Sequence, residues 1–579
     1  MTTARRQLVT ALGAALLLGI GFAASAAESA PRAVFQKLGG HLERVPRFNL
    51  LEWTADLQVD VRDPYDPAEI ELSAAFRAPS GREISVLGFL YSGSVTLGAP
   101  VRDAVWKIRF TPGEVGKWTY QVRVKTRLGE EKKGPFAFEC TGSTHDGFVR
   151  IDKVHPTYFA LDSGKFYYPL GQNVSWLSSG AYDAYFTRMA ENQENWARIW
   201  MSNWSFGIEW KRMGGYKGFG NYNLDNARKL DELLALAEKH GIYLQLVFDF
   251  HGAYSTRVNP EWQNNPLNRK NGGLLTIAEQ FFTHPGARSL YKKRLRYIVA
   301  RYGHSPRIMA WEFFNEVSFT DNFDDEVVAI WHKEMAQEIG RLDPYGHLRT
   351  SSFAGSTRIR AYEDASLDFT QMHIYEEKLY RMLPLLVPHF KRYGKPFFVG
   401  EFGNNSADGA DDQDKNGVFL HAGLWMTFMQ DISGNAMPWW WDTHIHPNNL
   451  YHHFGALSRF GAGLDRRAHR FTPRRQRLRM ESAGKEYFFE LTGLESEGIS
   501  LFWLCDADGL TPRGGAGKRS YEGVRIRLPL SRDGLYRVEH WDTYRGVIVR
   551  IDPAQCQKGL LEIELPLFRN DIALKILPG

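Results

Sequence analysis

Cysteine is nearly absent, with Cys140, Cys505 and Cys556 the only three in 579 residues. A dense disulfide framework is excluded, so stability must come from packing. Cys505 and Cys556 can pair, or all three can stand as isolated buried thiols. An excess of one charge is lacking too: 71 Lys and Arg face 66 Asp and Glu, without a basic cluster. That balance argues against a nucleic-acid partner. No apolar run is followed by a Gly-rich phosphate loop, and no His pair has the His-Glu-x-x-His spacing of a zinc site. The acidic stretch 407–417, "ADGADDQDKNG", does not follow a calcium loop and reads as a solvated face or a helix cap. No cofactor and no metal are therefore expected. Beyond the N-terminus there is no apolar run long enough to cross a membrane.

The N-terminus itself reads "MTTARRQLVTALGAALLLGIGFAASAAE". A short basic segment, an uncharged apolar run and Ala24-Ser25-Ala26 follow in the order of a secretory signal covering 1–26. An uncleaved anchor is the competing reading. Cleavage predicts an exported protein, periplasmic or extracellular. Aromatic residues make up 14% of the chain; flat rings suit sugar faces, but they also fill cores.

Patterning divides the rest of the chain into three. Residues 33–145 read as short strands between turns, such as "WTADLQVDV", "IELSAAF" and "WTYQVRVKT", and predict an immunoglobulin-like β-sandwich. Within it, the aromatic frame from Trp106 to Tyr120 predicts a hairpin. From 148 to 456, buried-type strands alternate with helices. Helices are expected at Leu224–Gly241, Ala287–Tyr302, Val327–Arg341 and Val418–Ile432, with another ending at Gly394. The intervening runs "KFYYPLGQNVSW", "NWARIWM", "IYLQLVFDFHG", "IMAWEFFNE", "LRTSSFAG", "FTQMHIY", "FFVGEFG" and "AMPWWWD" supply eight strands. Such alternation predicts an α/β fold, a (β/α)8 TIM barrel, with a doubly wound open sheet as competitor. Residues 458–579 return to strand patterning and predict a small C-terminal β-sandwich.

Why does the fourth run, "WEFFNE", end its apolar course in an amide and a carboxylate? In a barrel the C-terminal strand ends surround one mouth, where active sites are built. Asn173 belongs to the first strand's end, Arg198 to the second and His251 to the third. Asn315 and Glu316 close the fourth, His373 and Tyr375 the sixth, Glu401 the seventh, and Trp439–Trp441 the eighth. Two carboxyls among convergent polar groups are the minimum apparatus for cleaving a glycosidic bond.

"WEFFNE", "MHIY", "VGEFG" and the Trp-rich eighth strand make residues 165–445 resemble the clan A glycoside hydrolases, especially the cellulase-like family 5. A β-sandwich ahead of such a barrel is similar to bacterial hydrolases. The resemblance implies a retaining enzyme with Glu316 as acid/base and Glu401 as nucleophile. It also implies Asn315 at the sugar hydroxyl beside the reacting carbon and Arg198 supporting Glu401. His373 and Tyr375 would sit beside Glu401, and His251 with Trp439 or Trp441 would face the sugar. Asn173 joins the expected substrate-binding set. Arg198 has a second reading, as the partner of an interior Glu312, and His251 one as packing. Trp440 is expected to point away from the barrel. A carbohydrate is the expected partner, and oligomeric state is unreadable. The alternative is a non-catalytic carbohydrate-binding protein on a barrel scaffold, for which an intact carboxyl pair would be unnecessary.

Overall fold

The computed structural model describes residues 34–579 apart from 356, 378, 408–413, 483–484 and 507–518. The expected signal segment and most of the acidic stretch lie outside the described residues. No helix among the described residues is long and apolar enough to cross a membrane.

The central part is built on parallel strands in consecutive order. They are β1 (Gly171–Asn173), β2 (Trp196–Trp200), β3 (Tyr243–Phe250), β4 (Ile308–Asn315), β5 (Leu348–Thr350), β6 (Thr370–Tyr375) and β7 (Phe397–Gly403). Between β5 and β6 the ring is carried by Asp368 N–H donating to Arg349 O at 2.8 Å. The expected eighth strand is not a strand. It shrinks to one bridge, Phe402 with Pro438. Pro438 has no N–H to continue a ladder, and the chain turns into a π-helical segment at Trp441–Ile445. The ring still closes there: Met437 O accepts from Phe402 N at 2.9 Å, and Pro438 O accepts from Asn173 N at 3.1 Å. Consecutive order with closure rules out the doubly wound sheet.

The helices follow their end signals. α1 spans Tyr182–Glu191 and α2 spans Leu224–His240. Asn223 caps α2 by accepting from Asp225 N and Asn226 N, and Gly241 stops it at φ 72°. α3 (Pro285–Tyr302) begins on proline, and Gly303 keeps helical φ, so no left-handed cap ends it. α4 (Asp325–Leu342) is capped by Asp324. α5 is Leu379–Lys391, and α6 is Val418–Phe428, shorter than expected. Buried Arg466 donates to Phe428 O and Gln430 O at 2.5 and 2.8 Å, drawing those carbonyls out of helical pairing. α7 (His452–Gly461) precedes the C-terminal sheet.

The N-terminal strands form one curved path of eight. Phe76 stacks on Phe110 at 3.8 Å, and Trp53 Nε1 donates to Tyr120 Oη at 2.9 Å. The expected Trp106–Tyr120 hairpin is absent. Arg102–Phe110 pairs with Leu51–Gln58 and Glu83–Ser94, whereas Gly116–Thr126 pairs with Ile70–Arg77 and Gly129–Thr141. The turn between them crosses from one half of the path to the other. At the C-terminus a ten-stranded sheet follows.

Both β regions pack tightly on the barrel. Arg109 of the N-terminal region donates to Asp231 of α2 at 2.6 Å, and Arg301 of α3 donates to the same carboxylate at 2.6 Å. The Arg301 guanidinium also lies 4.9 Å from the centre of the Tyr91 ring. One hydrophobic core runs without a break from Trp53 through Trp311 to Trp503. All three cysteines are free and buried. Cys505 belongs to this shared core and Cys556 to a second one inside the C-terminal sheet, so they do not pair.

Candidate active site

Arg198, on β2, is the hub. Alternation turns its side chain into the barrel, where it is fully buried. Nε and Nη2 each reach a Glu312 oxygen at 2.8 Å. Nη1 donates to Glu401 Oε1 at 2.6 Å and to Asn173 Oδ1 at 3.2 Å, while Nη2 also donates to Asn315 Oδ1 at 2.7 Å. A guanidinium offers five N–H donors, and these contacts use all five. The two readings of Arg198 both hold: it pairs with interior Glu312 and supports Glu401. Gln245 donates to Glu312 at 2.6 Å from β3. Glu312 stays below its ordinary range because Arg198 outweighs the effect of burial.

Glu401 ends the inward face of β7. Tyr375 Oη donates to its Oε2 at 2.6 Å, opposite the oxygen held by Arg198. Glu316 sits just past β4 at φ 50°, in the left-handed region that a non-glycine residue seldom enters. Its N–H donates to Ser352 Oγ at 2.9 Å, which fixes the turn. His373 Nδ1 lies 2.9 Å from Glu316 Oε1 and 3.3 Å from Glu401 Oε2, bridging the carboxyls. His251 Nδ1 lies 3.7 Å from Glu316 Oε2, and its Nε2 pairs with Asn259 Oδ1 at 2.9 Å.

A Glu316 oxygen, a Glu401 oxygen and a His373 nitrogen all lie within 4.8 Å of one another. This trio is a set of atoms able to hold a metal, although both Glu401 oxygens already accept hydrogen bonds, from Arg198 and from Tyr375. Burial pushes both carboxyls above their ordinary range. His373, Arg198 and Tyr375 pull Glu401 back, and His251 and Arg198 pull Glu316 back. Only Glu401 accepts hydrogen bonds from Arg198 and Tyr375, which favour its ionised form. Burial lowers His373 to about 4, with the neighbouring Glu401 carboxylate opposing the shift.

This geometry coincides with a family match. Residues 163–445 match the cellulase family, glycosyl hydrolase family 5. The match falls on the barrel and stops short of both β regions. Residues 44–125 match a domain of unknown function, DUF5060. Mannan endo-1,4-beta-mannosidase 3 of Oryza sativa subsp. japonica is 26% identical over 262 residues, covering 39% of this chain and 54% of its own length. Mannan endo-1,4-beta-mannosidase 4 of Solanum lycopersicum is 25% identical over 314 residues, 45% of this chain and 74% of its own. The chain thus spans 54% of the rice relative's length. In fold it is similar to a solved structure from Bacteroides vulgatus ATCC 8482, described as a candidate glycoside hydrolase. The TM-score is 0.65 at 15% identity, over 93% of this chain and all of that one.

In the matched barrel, then, Glu316, Glu401, Asn315, Arg198, His373 and Tyr375 come together, with His251 at the edge. Asn173 joins them through Arg198, and Trp441 packs among the neighbouring tryptophans. Asn173 is fully buried, and its Nδ2 donates to Gly400 O at 3.1 Å and Pro438 O at 3.2 Å. It staples the closure of the ring and holds Arg198. Trp441 is only 1% exposed, its ring packed on Trp176 at 4.9 Å. Trp439 is partly open and remains the strand-eight ring able to meet a ligand. Trp440 is buried and lies against Gly403. Sequence reasoning passed over Ser352 and Gln245. A paired hydroxyl run in "RTSSF" was the one available signal for Ser352, and a lone Gln in an apolar strand the signal for Gln245.

Proposed function

We propose that this chain is a retaining glycoside hydrolase acting on a β-1,4-linked polysaccharide, with mannan first among substrates. The observation that carries this is one Glu316 oxygen lying within 4.8 Å of one Glu401 oxygen. Retaining pairs stand about 5–5.5 Å apart, whereas inverting pairs need about 6.5–9.5 Å for an intervening water. Glu401, held by Arg198 and Tyr375, attacks the anomeric carbon as a carboxylate. Glu316 gives its proton to the departing oxygen and later takes one from water. Asn315 supports the sugar hydroxyl next to the reacting carbon: Arg198 fixes its Oδ1, which turns its amide N–H groups outward. Trp439 carries the sugar face. The choice of mannan rests on the printed names of the rice and tomato relatives.

The test is proton NMR of the first product anomer from β-1,4-mannan, with cellulose and xylan in parallel. Retention on mannan is expected, and initial inversion overturns the reading. We also propose export after cleavage near Ala26, with an immunoglobulin-like N-terminal region at 33–145, the barrel at 148–456 and the C-terminal β region at 458–579. N-terminal sequencing of exported protein should begin at Ala27 or Glu28; a chain still starting at Met1 refutes cleavage.

A further inference from the structure

The loop between β2 and α2, residues 201–223, has no regular structure of its own. Loops of more than about 12–15 such residues in a compact domain usually carry function. This one carries Trp204, 47% exposed. Its ring stands 5.5 Å from Trp176, beyond β1, and 4.9 Å from Phe250, the last residue of β3. Trp176 in turn lies 5.5 Å from Trp439. Trp204 is therefore the open end of an aromatic row that runs through Trp176 to Trp439, whose backbone N–H donates at 3.0 Å to Phe402 O, the residue after Glu401. Exposed tryptophan at a barrel mouth offers an apolar face to an equally flat partner.

What holds the loop comes from outside the barrel. Leu97 N–H, in a turn of the N-terminal region, donates to Asn221 Oδ1 at 3.1 Å, and Lys217 Nζ donates to Val95 O at 3.4 Å. Tyr65 of the same region packs on Tyr222 at 4.1 Å. Gly220 has φ 74°, and a Cβ there would stand 2.5 Å from Leu97 Cδ1, so the turn seats directly on a bare backbone. The contact is relayed inward. Tyr216 Oη lies 2.8 Å from Asn203 O, the carbonyl preceding Trp204, and accepts from Asn226 Nδ2 at 2.9 Å. Gly220 N–H donates to Glu209 Oε1 at 2.5 Å. The N-terminal region thus reaches the residue before Trp204 through Val95, Lys217 and its chain neighbour Tyr216.

We infer that Trp204 is a platform for a sugar ring beyond the reaction centre, and that the N-terminal region braces the loop that presents it. Leu97, Asn221 and Tyr216 are positioning residues. This rests on the hydrolase reading above. It gives the region matching DUF5060 a role in shaping the cleft, with no sugar site of its own required.

The experiment uses the full chain, with a long manno-oligosaccharide and an aryl mannoside that fills the reaction centre alone. Trp204→Ala should raise KM for the long substrate about tenfold while kcat/KM for the aryl mannoside stays within about twofold. The Leu97→Ala/Asn221→Ala double variant should show the same pattern at about threefold, and should add nothing to Trp204→Ala. Additive effects, or an equal loss on the aryl mannoside, overturn the brace. An unchanged KM in Trp204→Ala overturns the platform. Amide hydrogen exchange gives a readout that does not need turnover: residues 201–216 should exchange faster in the double variant, with β3 and β4 unchanged. If the wild type cleaves neither sugar, the hydrolase reading and the platform both fail, and exchange alone decides the brace. Unaltered exchange would then refute it.

Discussion

Glu316 and Glu401 differ in what touches them, and that difference has a chemical signature. Glu316→Ala should lose about 10²–10⁴ in turnover of a polysaccharide. An aryl glycoside with a good leaving group should still form its covalent intermediate, which then accumulates because water has no base. Azide needs no base, so it should rescue Glu316→Ala and give a glycosyl azide of the substrate's configuration. With Glu401→Ala the azide product should have the opposite configuration, and exchange of the two outcomes would reverse the roles. The pH profile follows from the same contacts. Burial raises Glu316, so its acid form persists, and activity should be lost only as pH climbs past the ordinary glutamate value of about 4.3. The basic limb of kcat/KM should vanish for the aryl substrate in Glu316→Gln. Glu316 and Glu401 were legible because each ends an apolar run, a local pattern. The tie of Asn173 to Gly400 and Pro438 was not legible because both partners lie more than 200 residues away.

Elements were legible where their own residues decide them. Gly241 closes α2 where the sequence placed its end, whereas the caps Asn223 and Asp324 emerge only from the structure. The eighth strand failed because aromatic density mimics a strand while Pro438 denies it the ladder, and the Trp106–Tyr120 hairpin failed because pairing partners are nonlocal. α4 also carries a pH dependence. His332 is fully buried, with Nδ1 2.8 Å from Val328 O and Nε2 2.9 Å from Ser351 Oγ. Burial lowers it to about 4, against a small opposing effect from the Val328 carbonyl. The unfolded chain, near 6.5, therefore takes up the proton first as pH falls. The stability His332 permits is complete above about pH 6.5 and is lost towards pH 4, by about 3 kcal/mol in all. Urea unfolding across this range should steepen accordingly, and His332→Gln should flatten the dependence by about one proton. An identical slope in the variant rules His332 out as the cause.

For the whole molecule, the division into β region, barrel and β region was readable from periodicity, whereas the joints between them were not. Asp231 gives no sign in sequence that it serves two arginines, Arg109 at 7% exposure and Arg301 at 0%. Asp231→Ala should strand buried Arg301 without a carboxylate while Arg109 keeps Glu52, at a cost of about 3 kcal/mol. Thermal unfolding should show one earlier transition for the N-terminal region and barrel together; a separate N-terminal transition with the barrel unmoved would mean that the joint is not shared. The continuous core has a further consequence for how the N-terminal region can assist catalysis. A module on a flexible tether raises the local concentration of a solid substrate by sweeping a volume around its anchor. A region fused through one core sweeps no volume and acts at one distance and one angle. Its contribution should then be the same for dissolved chains as for a fibre surface, because it shapes the cleft and does not search for the substrate.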